Sequence, residues 1–204
     1  MSLIITIGRQ FGSGGRELGK RLAETLGIGY FDREVISEIA KQSGMAEGYI
    51  DSFVENPVQY YPITFGRTFT SQIPVQQDTE VYRAQSDAIR ALAGRGDCVI
   101  IGRCADYILE DMKPLNLFVY ADLEARLARC REKAPEDENL TDHELRKKIL
   151  SVDKRRAKYY EFYTGKAWGK MENYHLCINT AGREIKRLVP HLAAYATSLR
   201  GQQG

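Results

Sequence analysis

The residues best suited to chemistry stand near the start of the chain, in the stretch G-R-Q-F-G-S-G-G-R at positions 8–16. Gly8, Gly12, Gly14 and Gly15 separate an apolar run, Leu3 to Ile7, from a helix-period segment that presents Leu18, Leu22 and Leu26 on one face and ends at Gly27. Glycines let several backbone N–H groups turn inward together, and a helix N-terminus beginning near Arg16 adds its dipole. Gly12, Ser13, Gly14, Gly15, Arg16 and Glu17 therefore read as a cradle for a phosphate. A turn that merely joins a strand to a helix would also use glycine; the co-occurrence of strand, glycines and helix favours the cradle. The standard pattern G-x-x-x-x-G-K-[ST] is not met. Gly8 lies six residues before Gly14, Gly15 holds the lysine position, and no Ser or Thr follows to hold Mg²⁺, which leaves Ser13 as the candidate. Arg16 is the nearest cation that could stand in for the lysine, since a guanidinium can grip phosphate oxygens with two bonds.

Further cations fall at other junctions. Arg103 follows the apolar run Cys98 to Ile101, at the strand end where ligands of open α/β sheets collect. Asp32 and Arg33 sit at another strand-to-helix junction, where Asp32 can cap the helix or hold a ligand and Arg33 can reach an anion. Lys154, Arg155, Arg156 and Lys158 are followed by Tyr159, Tyr160 and Tyr163, a set that suits a lid closing over phosphates, a solvated helix face, or single-stranded nucleic acid. Asp153 opens that cluster and could hold a substrate group or Mg²⁺, with an intrahelical ion pair the favoured alternative. Trp168 packs under the lid or stacks on a base. His143, His175 and His191 have no metal-ligand spacing, and no Ser-His-Asp or Cys-His set stands out.

Elements must position these groups. The 204 residues suit one domain, and 43% hydrophobic with 27% charged residues excludes wholesale disorder. A net charge of +2 is too balanced for a nucleic-acid coat, so nucleic acid is disfavoured as a partner. No apolar run approaches a membrane span, the N-terminus lacks a basic region before its apolar run, and Cys98, Cys104, Cys130 and Cys177 read as buried reduced thiols; a cytoplasmic protein is expected. Strands are predicted at Leu3–Ile7, Gly29–Phe31, Cys98–Ile101, Leu117–Tyr120 and His175–Ile178. Helices follow them, including one capped by Asp122, one opened by a Thr141–Glu144 capping box, and a last one that Pro190 should kink or restart. Asn56 to Gln77 breaks the pattern with three prolines and four aromatics. The alternation predicts one α/β domain, a parallel sheet covered on both faces.

With those residues in view, a family likeness emerges. G-S-G-G-R-E-L-G-K-R-L-A-E-T-L-G-I-G-Y-F-D resembles the start of cytidylate kinases without a gap, and C-V-I-I-G-R-C resembles their third strand with its Gly-Arg turn. D-K-R-R-A-K-Y-Y falls where they carry lid arginines, and N-Y-H-L-C-I-N-T is similar to their final strand. The chain is most similar to the divergent cytidylate-kinase-like family, whose members also carry F-G-S-G-G-R-E in place of the lysine motif. The resemblance spans essentially the whole chain. It implies a three-layer P-loop nucleoside-monophosphate-kinase fold with a five-stranded parallel sheet of order 2-3-1-4-5. It also implies a single domain over 1–204, with an acceptor-side insertion at about 45–78 and a lid-like segment at about 135–170. The implied activity is transfer of a phosphoryl group from ATP with Mg²⁺ to a CMP-like nucleoside monophosphate or related phosphorylated acceptor. Arg16 and the loop would hold the donor, Arg155 and Arg156 the moving group, and Asp32, Arg33 and Arg103 the acceptor. The alternative is a nucleotide- or polyphosphate-binding regulatory protein without turnover, which the missing lysine favours. Compared with cytidylate kinases proper, Ile101 and Cys104 replace the acidic residues flanking the Gly-Arg turn. A second copy of the chain is an open possibility as a partner.

Overall fold

A computed structural model describes residues 2–32, 75–134 and 140–200. In chain order its elements are β1 (Ile4–Arg9), α1 (Gly15–Leu26), β2 (Gly29–Phe31), α2 (Val75–Gly94), β3 (Cys98–Ile101), α3 (Ala105–Ile108), β4 (Leu115–Tyr120), α4 (Leu123–Glu132), α5 (Asp142–Thr164), β5 (Leu176–Asn179) and α6 (Ile185–Arg200). The five strands form one sheet in the order β2-β3-β1-β4-β5, every described pairing parallel. β1 is the central strand, with Ile5 facing Val99 of β3 on one side and Leu115 of β4 on the other.

The strands alternate between two apolar layers, because successive side chains of a strand point to opposite faces. Ile5, Ile7, Val99, Ile101, Leu117 and Val119 pack against Leu18 and Leu22 of α1 and against Ile185, Val189, Ala193 and Ala196 of α6. Ile4, Cys98 and Ile100 face the other way, onto Ala88, Ile89 and Leu92 of α2, Ala105 and Ile108 of α3, and Tyr160 of α5. Fully burying a Leu or Ile contributes about 1.5–3 kcal/mol, so these two layers outweigh any single polar contact in holding the sheet.

The predicted caps are present. Asp122 accepts the Ala125 amide at 2.7 Å, and Thr141 with Glu144 completes a reciprocal capping box at the start of α5. Pro190 does not restart the last helix: α6 is one element from Ile185 to Arg200, and its buried stripe on α1 offsets the hydrogen bond the proline removes. The helix after the irregular stretch already begins at Val75 and takes in the last three residues of the predicted loop. The helix expected after Asp32 lies outside the described residues. All four cysteines are free; Cys98 and Cys104 are buried, but Cys177 is exposed because it points outward from the edge strand β5. Among the described residues no helix is long and apolar enough to cross a membrane.

Candidate active site

The glycine loop leaves the C-terminal end of β1 and is held from behind. Four consecutive carbonyls each accept a hydrogen bond from the protein side. The Ser13 hydroxyl donates to the Gln10 carbonyl at 2.8 Å, Arg126 Nη1 to Phe11 at 3.4 Å, Arg129 Nη1 to Gly12 at 2.9 Å, and Thr180 Oγ1 to Ser13 at 2.7 Å. A trans peptide sets its N–H opposite its carbonyl, so drawing the carbonyls back turns the Gly12 and Gly14 amides the other way. Gly14 caps α1 at φ 81°, a left-handed conformation that glycine adopts without strain, and the first-turn amides of α1 continue the row. Asp153 of α5 anchors the same loop: its carboxylate accepts the Phe11 amide at 2.7 Å and is ion-paired, within the protein interior, to Arg126. Asp153 thus pairs across helices, with its own-helix neighbour Arg156 only at 3.9 Å.

Two cavities open beside this loop. The larger, about 1070 Å³, is lined by the loop from Arg9 to Lys20 and by parts of α4, α5 and the start of α6; ten Lys or Arg against three Glu face it, which suits a polyphosphate. The smaller, about 120 Å³, lies between the Gly102–Cys104 turn and α5, with Arg103, Arg155, Arg156, Asp106, Tyr160 and Trp168 in its wall. Arg9, Phe11 and Arg156 line both. Arg156 Nη1 donates to the Arg9 carbonyl at 3.2 Å, and its guanidinium lies 5.7 Å from the Phe11 ring centroid.

The Gly102–Cys104 turn is held under strain. Gly102, Arg103 and Cys104 have φ of 68°, 62° and 55°, a left-handed run that costs roughly 1–2 kcal/mol at each non-glycine residue. The fully buried Gln85 of α2 holds it, donating to the Arg103 carbonyl at 3.1 Å and accepting from the Tyr159 hydroxyl at 3.1 Å. Asp106, on α3, accepts from the Tyr160 hydroxyl at 2.6 Å, and burial pushes its carboxyl above the usual carboxylate range. Trp168 meets Phe118 edge-on at 5.2 Å to complete an aromatic wall with Tyr174.

The residues singled out in the sequence divide accordingly. Gly12, Gly14, Gly15, Arg16, Glu17 and Arg156 line the larger cavity, and Arg103, Arg155 and Arg156 the smaller. Arg16 is ion-paired to Asp32, its side chain 60% exposed against 8% for Asp32, so these two candidates meet each other. Glu17 is engaged by Lys133 and by Arg21. Ser13 is fully buried, and its hydroxyl donates to the Gln10 carbonyl. Arg33 lies outside the described residues. Sequence reasoning missed Arg9, Arg129, Gln85 and Asp106. Arg9 alone carried a signal, as a cation inside the glycine stretch.

The donor set also tests the fit of Mg²⁺. Among the described residues no group of three His, Cys, Asp or Glu could cage a metal ion.

A parallel sheet of this order, with a glycine loop feeding α1 and two cation-lined cavities meeting beside it, has the architecture of the P-loop kinase class. More narrowly, the chain belongs to the cytidylate kinase-like family, whose model matches residues 4–182. It is similar to the cytidylate kinase of Methanopyrus kandleri, 26% identical over 192 residues that make up 89% of this chain and 86% of that protein. Among solved structures, an uncharacterized protein from Eubacterium ventriosum superposes with a TM-score of 0.70 at 26% identity, covering 97% of this chain and 99% of that one. Shikimate kinase from Bacteroides thetaiotaomicron shares the fold, with a TM-score of 0.58 at 16% identity over 96% and 98% of the two chains.

Proposed function

We propose that this chain transfers the γ-phosphoryl group of ATP, bound with Mg²⁺ on its phosphates, to a nucleoside monophosphate of the CMP type. The observation that carries the reading is the pair of cation-lined cavities sharing Arg9, Phe11 and Arg156, a donor side and an acceptor side with one meeting point. The loop from Gly12 to Glu17 cradles the donor phosphates, with Arg16 at its edge. Arg103, with Asp32 and Arg33, holds the acceptor, and Arg155 and Arg156 face the group in transit from the lid-like segment. Phosphoryl transfer asks for positioning and charge neutralisation more than covalent chemistry, and that is what a set of fixed arginines supplies. A phosphate acceptor needs no general base, because its second pKa is about 6 and it is already ionised at pH 7.

The test is a coupled ADP-release assay with ATP–Mg²⁺ against CMP, dCMP, UMP, AMP and no acceptor. Turnover that depends on a pyrimidine monophosphate is expected. ATP binding without ADP release for any acceptor would overturn the reading in favour of a nucleotide- or polyphosphate-binding regulatory protein.

A further inference from the structure

Two arginines compete for the part a loop lysine plays in the standard motif. Arg16 opens α1, but it is largely exposed and committed to Asp32. Arg9 precedes the loop, at the end of the central strand, and its course is fixed by two glycines. An added Cβ at Gly15 would lie 2.6 Å from Arg9 Cβ, and one at Gly102 would lie 1.9 Å from Arg9 Nη1. Neither position can carry a side chain while Arg9 keeps this path between α1 and the Gly102–Cys104 turn. Its guanidinium makes no hydrogen bond or ion pair with a described residue, yet it borders both cavities.

We propose, on the kinase reading above, that Arg9 and not Arg16 supplies the cation that holds the moving phosphoryl group in place of the loop lysine. An oxygen of the acceptor phosphate forms a bond to the γ-phosphorus of ATP. The bond from that phosphorus to the β,γ-bridging oxygen breaks, its electron pair stays on that oxygen, and ADP leaves. No proton moves at the attacking oxygen. Negative charge spreads over the three equatorial oxygens at the junction of the cavities, where Arg9 lies beside Arg156. Burial, then the like charges of Arg156, Arg103 and Arg16, pull the Arg9 guanidinium down to about 9, with Asp32 acting in the opposite sense. A cation held at such a cost is relieved by an arriving anion, and it stands ready without reorganisation.

Full-length Arg9→Met, Arg9→Lys, Arg16→Met and Gly102→Ala variants test this, read by calorimetric titration with inorganic tripolyphosphate and by ADP release with ATP–Mg²⁺ and CMP. Arg9→Met should weaken tripolyphosphate binding by about 10-fold or more and lower turnover by about 100-fold, the scale of removing one preorganised donor. Arg16→Met should lose less in both. Arg9→Lys, which keeps the charge, should retain tripolyphosphate binding even if the methionine variant fails to fold. Gly102→Ala, whose added Cβ displaces the Arg9 tip, should follow Arg9→Met. Equal or greater losses in Arg16→Met, wild-type behaviour in Arg9→Met, or a wild-type chain that ignores tripolyphosphate would each overturn the assignment. A wild-type chain that binds tripolyphosphate through Arg9 but releases no ADP with any acceptor removes the kinase reading and keeps Arg9 as the phosphate-holding cation.

Discussion

Asp106 illustrates how single residues in this site trade fold stability for position. Burial raises its carboxyl, and the Tyr160 hydroxyl only partly compensates. The native state therefore takes up a proton more readily than the unfolded chain, and the stability this residue contributes falls as pH rises through the window above its usual 3.8. Asp106→Asn keeps an acceptor for Tyr160 and removes the buried charge. Its melting temperature should exceed that of the wild type at pH 7, with the gap closing toward pH 4. Calorimetry at the two pH values checks this, and a gap that does not change with pH would contradict it.

At the scale of elements, Gln85 joins three of them: α2, which carries it, the turn after β3, and α5 through Tyr159. Gln85→Leu would leave the Arg103 carbonyl and the Tyr159 hydroxyl without this partner in a buried setting. A loss of about 2 kcal/mol in unfolding free energy is expected, since each orphaned buried group costs about 1–3 kcal/mol. Weaker CMP binding should accompany it as the strained turn slackens. Denaturant titration measures the first effect, and Tyr159→Phe, which removes one donor only, should show a smaller one. None of this network was legible in the sequence. The strands were, because runs such as Cys-Val-Ile-Ile end at glycine turns and carry their burial in their own composition. The caps of α4 and α5 were, because they act over three residues. Arg9 reads as an ordinary loop cation until Gly102, distant in the chain, is folded against it. The Ser13 hydroxyl turns back onto the Gln10 carbonyl, while its own carbonyl is held by Thr180, just after β5 and too distant in the chain for any local pattern to show.

Across the whole molecule, the two cavities are built from largely different parts of the sheet's C-terminal edge. The larger cavity draws on α1, α4 and α6, the smaller on α3 and the segment leading to β5, and α5 contributes to both. That division has a spectroscopic side. Trp168 is the only tryptophan in the chain, and it stands in the wall of the smaller cavity, edge-on to Phe118 and absent from the lining of the larger one. The intrinsic tryptophan emission of the protein is thus a single-point reporter native to one compartment. CMP should shift or quench it in a saturable way, while tripolyphosphate should leave it nearly unchanged. The opposite pattern would reverse the two compartments. A stopped-flow trace of unlabelled protein could then time the acceptor's arrival separately from the donor's, making the order in which the two ligands bind directly visible.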